Sequence, residues 1–197
     1  MNKIPKIIAV SKTHNLENIL PLIDYGHKDF GENKVQEALD KWSEIKIKNP
    51  NIKLHMLGKL QTNKVKFAIK LFDFIHSLDS EKLAKKISDE QKKYNKSLKI
   101  FIQINIGEEE QKSGITKSRL SEFYNYCKEM NLNIIGLMCL PPEKIDPSKY
   151  FEEMNNLNKL LKLDQLSMGM SSDYTEAIKN SSTYLRIGTN IFGNRNY

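Results

Sequence analysis

The residues with the clearest chemical potential are a lysine closing a short apolar run and two turns near the far end of the chain. Lys12 follows IIAVS on the same alternating face as Ile8 and Val10. If that face lines an interior, partial loss of water lowers the ammonium pKa and frees an amine able to condense with a carbonyl. The alternative is a lysine that snorkels to solvent from a strand end, and position alone leaves the two evenly matched. RIGTNIFG at 186–193 reads as a strand, a Gly-Thr turn and a short apolar segment that can begin a helix. Exposed N–H groups after such a strand, with Gly188 admitting close approach and Thr189 adding a hydroxyl, form an anion-binding nest. SMGMSSD at 167–173 adds Ser171 and Ser172 in the preceding turn.

An amine and a phosphate cradle at one mouth suit pyridoxal 5′-phosphate (PLP), whose aldehyde and phosphate sit on opposite sides of an aromatic ring. Such sites also set a residue against the pyridine nitrogen. Arg186 alternates with Leu185 and Ile187, so it is expected to point inward and to take that role. A salt bridge closing the fold is the structural alternative. An arginine there would keep the nitrogen unprotonated and weaken the electron sink, which favours carrying the cofactor over fast turnover.

These residues need a scaffold, and hydrophobic periodicity supplies one. Short apolar strands are predicted at 6–12, from 29 into GEN at 31–33, and at 54–57, 72–78, 98–106, 134–140, 166–170 and 184–188. Amphipathic helices follow all but the last, as in the stripe Val35, Ala38, Leu39, Trp42 and Ile45 and the short segment 174–179. Asp79 or Ser80 is expected to cap the fourth helix. In the fifth strand the aliphatic residues Leu98, Ile100, Ile102, Ile104 and Ile106 share one face, so Lys99, Phe101, Gln103 and Asn105 should face inward. Eight strands, each but the last followed by a helix, predict an α/β fold, a single (β/α)8 TIM barrel over residues 1–197 near the lower size limit. An open doubly wound sheet is the alternative, although no Gly-rich dinucleotide fingerprint follows the first strand.

Composition narrows the function classes. The chain has 197 residues, a formal charge of +7 and two cysteines, Cys127 and Cys139, which are too few for a disulfide framework and are expected to be buried thiols. Only three of its 31 basic residues are arginine, and the lysines are spread along helices beside Glu and Asp, so the charge reads as solvated surface and no nucleic-acid partner is expected. No apolar run approaches a membrane span or a signal-peptide core, so the expectation is a cytoplasmic protein without a membrane partner.

The motifs AVSKT at 9–13, FGENKVQEALDK at 30–41, HMLGKLQTNK at 55–64, QINIGEEEQKSGI at 103–115, GLMCLPP at 136–142, SMGMSSD at 167–173 and RIGTNIFGNRNY at 186–197 together resemble the pyridoxal phosphate homeostasis protein family, which is related to the barrel domain of alanine racemase. The resemblance covers nearly the whole chain. It implies PLP held as a Schiff base on Lys12, its phosphate on Ser171, Gly188 and Thr189, Asn33 in the pocket and Arg186 at the pyridine nitrogen. It further implies a carrier or regulator of PLP in vitamin B6 and amino-acid balance without established turnover, with PLP-dependent apo-enzymes as partners. Lys112 is a candidate second acceptor, against an ordinary loop lysine beside Glu108–Glu110. Of His55, Gln61, Asn63 and Lys64 in the third motif, Asn63 reads equally well as a helix cap. Family members usually carry an extra helix ahead of the first strand, which this chain lacks, so the outer face between strands eight and one is expected to be thinly covered and the protein a monomer or weak dimer. The competing enzyme reading is a PLP-dependent amino-acid racemase.

Overall fold

The computed structural model describes residues 4–193. Eight parallel strands form its centre: β1 (Lys6–Val10), β2 (Asp29–Glu32), β3 (Lys53–Met56), β4 (Phe74–Leu78), β5 (Lys99–Ile104), β6 (Ile134–Cys139), β7 (Gln165–Met170) and β8 (Tyr184–Ile187). Each pairs with the next, and β8 returns to β1 through the register Ile8↔Arg186 and Ala9↔Ile187, which closes the ring. The barrel expectation therefore holds, and closure excludes the open sheet. The helices α1 (Leu16–Asp24), α2 (Val35–Lys48), α3 (Val65–Leu71), α4 (Glu81–Tyr94), α5 (Leu120–Glu129), α6 (Ser148–Leu160), α7 (Tyr174–Lys179) and α8 (Thr189–Phe192) alternate with the strands.

Period-two alternation divides the apolar residues into two cores. The larger lies between ring and helices, where Ile100, Ile102 and Ile104 of β5 meet residues such as Leu83, Ile87, Leu120 and Phe123. The smaller fills the barrel with Ile8, Phe74, Phe101, Met138 and Tyr184. Phe101 thus faces inward, as the alternation of the fifth strand requires.

Two local expectations change and a third is resolved. β1 ends at Val10 rather than Lys12, because the chain turns as soon as Ser11 N–H has bonded Gly31 C=O at 3.0 Å. Asn63 is not a cap. It lies inside a 3₁₀ turn, Thr62–Lys64, whose N-cap position is held by Gln61. Of the two candidate caps for α4, Ser80 serves, its Oγ accepting from Leu83 N–H at 3.4 Å. On the outer face between β8 and β1, α8 is only four residues long and Ile7 stays 45% exposed. The last four residues of the seventh motif, 194–197, lie outside the described residues.

Candidate cofactor site

Lys12 sits in the turn between β1 and α1, half-buried at the carboxyl-terminal mouth of the barrel. Ser11 C=O accepts from His14 N–H at 3.1 Å to close that turn, and Thr13 is driven to φ +67°, a left-handed conformation that a threonine adopts only when its surroundings hold it there. The hold comes from α2. Thr13 N–H donates to Glu37 Oε1 at 2.5 Å. Lys41 Nζ donates to Glu37 Oε1 at 3.0 Å, to Glu32 Oε1 at 3.0 Å and to Ser11 C=O at 2.9 Å. Glu32, fully buried outside the barrel wall, also accepts from Ser11 Oγ at 2.7 Å and Trp42 Nε1 at 2.9 Å. The glutamate of GEN is thus an anchor behind the lysine turn. Glu37 is half-exposed; burial would raise its carboxyl, but the Thr13 N–H and the Lys41 ammonium outweigh this and hold it below the usual range.

Asn33 follows β2 at the same mouth. Gly58 packs so tightly against its backbone that a Cβ would collide with Asn33 C=O, which is why the LGK turn carries glycine there. The Ser171 turn depends on another glycine. Gly169 has φ +92°, and a Cβ would lie 2.6 Å from that of Ala177. The β7–β8 register shifts between Ser167 and Met170 at this point, swinging the chain over to α8. Ser171 Oγ then accepts a long bond from Asn190 N–H at 3.4 Å, and Asn190 Nδ2 reaches Ser171 C=O at 3.5 Å. Gly188 C=O accepts from the N–H groups of Ile191 and Phe192, both at 2.9 Å, while those of Thr189 and Asn190 belong to the first turn, which a helix cannot satisfy by itself. Gly188 is also adjacent to Val10 of β1, since a Cβ there would sit 3.6 Å from that of Val10. Ser171, Gly188 and Thr189 are therefore gathered beside the strand that leads to Lys12.

Arg186 is 5% exposed on the inner face of β8. Its Nη1 donates to Ser167 Oγ and its Nη2 to Cys139 C=O, each at 2.8 Å. Among the described residues it has a hydroxyl and a carbonyl as hydrogen-bond partners, not the salt bridge of the alternative reading. These two bonds use two of the five guanidinium N–H donors. Burial pulls its pKa down, with the Cys139 thiol and Asp173 opposing. Lys112, in the loop after β5, is engaged by Glu109 Oε1 at 2.7 Å and Pro141 C=O at 3.2 Å.

The barrel interior also holds a group of polar residues of which the sequence reading named His55, in the third motif, but not His76 or its contacts. His76 Nδ1 lies 2.8 Å from Ser167 Oγ, and its Nε2 lies 2.9 Å from His55 Nδ1. His55 Nε2 lies 3.0 Å from Asp29 Oδ1. Both imidazoles are fully buried and stack on phenylalanines, His55 on Phe74 at 4.2 Å and His76 on Phe101 at 4.3 Å. Burial lowers both pKa values, that of His76 strongly, with His55 and Arg186 adding to the effect on His76. Period-two alternation applied to every strand would have found these side chains, since His76 shares a face with Phe74 and Ser167 lies between outward Leu166 and Met168.

A barrel of this order with its polar groups at the carboxyl-terminal mouth is matched over residues 1–196 by the family model for the alanine racemase N-terminal domain. The chain is 38% identical over 202 residues to the pyridoxal phosphate homeostasis protein of Aquifex aeolicus (strain VF5), covering 98% of this chain and 88% of that one. It is 37% identical over 203 residues to the protein of that name from Pasteurella multocida (strain Pm70), covering 98% and 87%. PipY of Synechococcus elongatus PCC7942 superimposes with a TM-score of 0.89 without PLP, at 33% identity over 96% of this chain and 93% of PipY. With PLP bound the TM-score is 0.88, at 32% identity over 96% and 92%. The chain belongs to the pyridoxal phosphate homeostasis protein family, as its seven motifs indicate.

Proposed function

We propose that this protein binds PLP at the carboxyl-terminal mouth of its barrel and carries or regulates it in the cytoplasm, delivering it to PLP-dependent apo-enzymes, without turnover of its own. The donor set fits the cofactor: an amine on Lys12, hydroxyls and first-turn N–H groups at Ser171, Gly188 and Thr189 for a phosphate, Asn33 on the adjacent turn, and a fixed guanidinium on the inner wall. The observation that carries the reading is Arg186, buried and pinned by Ser167 and the Cys139 carbonyl on the strand paired with β1.

PLP, when bound, supplies an aldehyde that can join an amine and a ring that can withdraw electrons. The residues do the rest. The Glu32–Lys41–Glu37 anchor fixes the turn that presents Lys12, and the Ser171–Asn190 contact holds two phosphate-side turns together. Arg186 is already a donor to two partners, so it would offer a bound pyridine nitrogen a hydrogen bond rather than a proton. This limits electron withdrawal and suits storage. Relatives at 37–38% identity are named as homeostasis proteins, which supports the same reading.

The test is an absorbance spectrum of protein mixed with PLP. A visible band that is lost on borohydride reduction, with the added mass mapping to Lys12, is expected, and Lys12→Ala should abolish it. Protein that takes up no PLP, or holds it covalently only on Lys112, would overturn the assignment. Racemisation of alanine by the loaded protein at about 1 per second or faster would overturn the carrier role.

A further inference from the structure

The polar groups inside the barrel form one continuous series between its two mouths: Arg186, Ser167, His76, His55 and Asp29, linked by contacts of 2.8, 2.8, 2.9 and 3.0 Å. We propose that this series is a one-way hydrogen-bond chain, Arg186→Ser167→His76→His55→Asp29, and that Asp29 at the opposite mouth is thereby a positioning residue for Arg186.

The direction follows from counting donors. A guanidinium only donates, so Ser167 Oγ accepts from Nη1. If His76 Nδ1 also donated to Ser167, the serine's own proton would be left without a partner in a fully buried site, at a cost of about 1–3 kcal/mol. Ser167 therefore donates to His76 Nδ1. A neutral imidazole has one donor and one acceptor, so His76 carries its proton on Nε2 and gives it to His55 Nδ1. His55 in turn carries its proton on Nε2 and donates to Asp29. An ionised carboxylate only accepts, so the far end demands the same direction as the near end. An imidazolium at either position would break the series, because its second N–H would force a donor against a donor. The phenylalanine faces stacked on both rings restrict reorientation. Asp29 differs from the other members in reaching solvent: its side chain is 19% exposed, and it borders a basin of about 560 Å³ at the amino-terminal mouth, ringed by Lys6, Lys28, Lys53 and Lys99.

The chain predicts two tautomers and a coupling. Long-range proton–nitrogen NMR on 15N-histidine protein, without PLP, should show His55 and His76 both neutral at pH 7.5, with Nε2 protonated and Nδ1 bare. A proton on either Nδ1 overturns the direction. In Asp29→Asn the terminal group can donate as well as accept, so the His76 tautomer should become mixed and the guanidinium signals of Arg186 should shift and broaden. Unchanged Arg186 signals in a folded Asp29→Asn protein overturn the coupling, and Asp29→Ala gives the same reading by removing the acceptor. The consequence for cofactor rests on PLP binding as proposed above: Asp29→Asn should weaken PLP affinity about fivefold, the equivalent of one ordinary hydrogen bond, and shift the visible band. Unaltered affinity and band position overturn the positioning role. A wild-type protein that takes up no PLP would refute the cofactor reading, and the tautomer and Arg186 measurements would still decide the chain.

Discussion

Replacing Lys41 with methionine tests whether the lysine turn is held from behind. The change keeps the aliphatic stem and removes the charge and three bonds, to Glu32, Glu37 and Ser11 C=O. Lys41 and Glu32 have side chains 9% and 0% exposed, so water cannot replace what is lost, and Glu32 keeps only the Ser11 and Trp42 donors on Oε1 while its Oε2 already lacks a hydrogen-bond partner. Breaking a buried pair from one side costs about 3–5 kcal/mol, a large share of a stability of roughly 5–15 kcal/mol. For a chain of this size that corresponds to a fall in Tm of about 6–20 °C. Urea unfolding followed by fluorescence suits the measurement, since the protein has one tryptophan and its Nε1 binds Glu32. Adding Glu32→Gln to Lys41→Met removes the stranded charge and should restore about 1–2 kcal/mol, a departure from additivity within the range for residues in contact. A loss below about 1 kcal/mol in Lys41→Met, or additive effects in the double variant, would refute the anchor.

Acid should destabilise the protein from about pH 6.5. His55 and His76 are held neutral by burial, whereas in the unfolded chain both bind protons below that pH, so stability falls by about 1.4 kcal/mol per pH unit per ring as the pH drops from about 6.5, until the lowered folded values are reached; urea midpoints that stay flat between pH 7 and 5 would contradict this. Gly169→Ala forces a side chain into φ +92° against Ala177, and strain plus overpacking should cost about 2–4 kcal/mol and loosen the Ser171 turn, as read by thermal unfolding and PLP affinity. Cys127 and Cys139 are pushed up to about 12 by burial, so iodoacetamide should leave both unmodified in native protein and alkylate both in urea, with mass spectrometry giving the count.

The fold was legible because each strand–helix repeat announces itself locally, through alternation on the strand and a stripe on the helix. Arg186 was legible as an inward side chain for a related reason, alternating with outward Leu185 and Ile187, whereas Lys12, singled out by the same rule, lies in the turn after β1. The histidine chain was not legible. Its members come from β2, β3, β4, β7 and β8, far apart in the sequence, and only the barrel's closure brings them into contact. The Glu32 anchor was hidden differently, since it faces outward, away from the expected site, and meets its partners on α2. A strand end at Lys12 was misjudged because periodicity continues through a turn that only the pairing of Ser11 with Gly31 reveals.

The pairing of β1 with β8 has a consequence for the order of events in the cell. Lys12 leaves the ribosome long before Arg186, Gly188 and Thr189, and the register Ile8↔Arg186 joins them only once every intervening repeat is in place. A nascent chain therefore carries the Lys12 amine long before it has the groups that would position a ligand. If PLP binds as proposed, its uptake is then a signal that the ring has shut, and a polypeptide stalled before β8 should remain colourless however much PLP surrounds it.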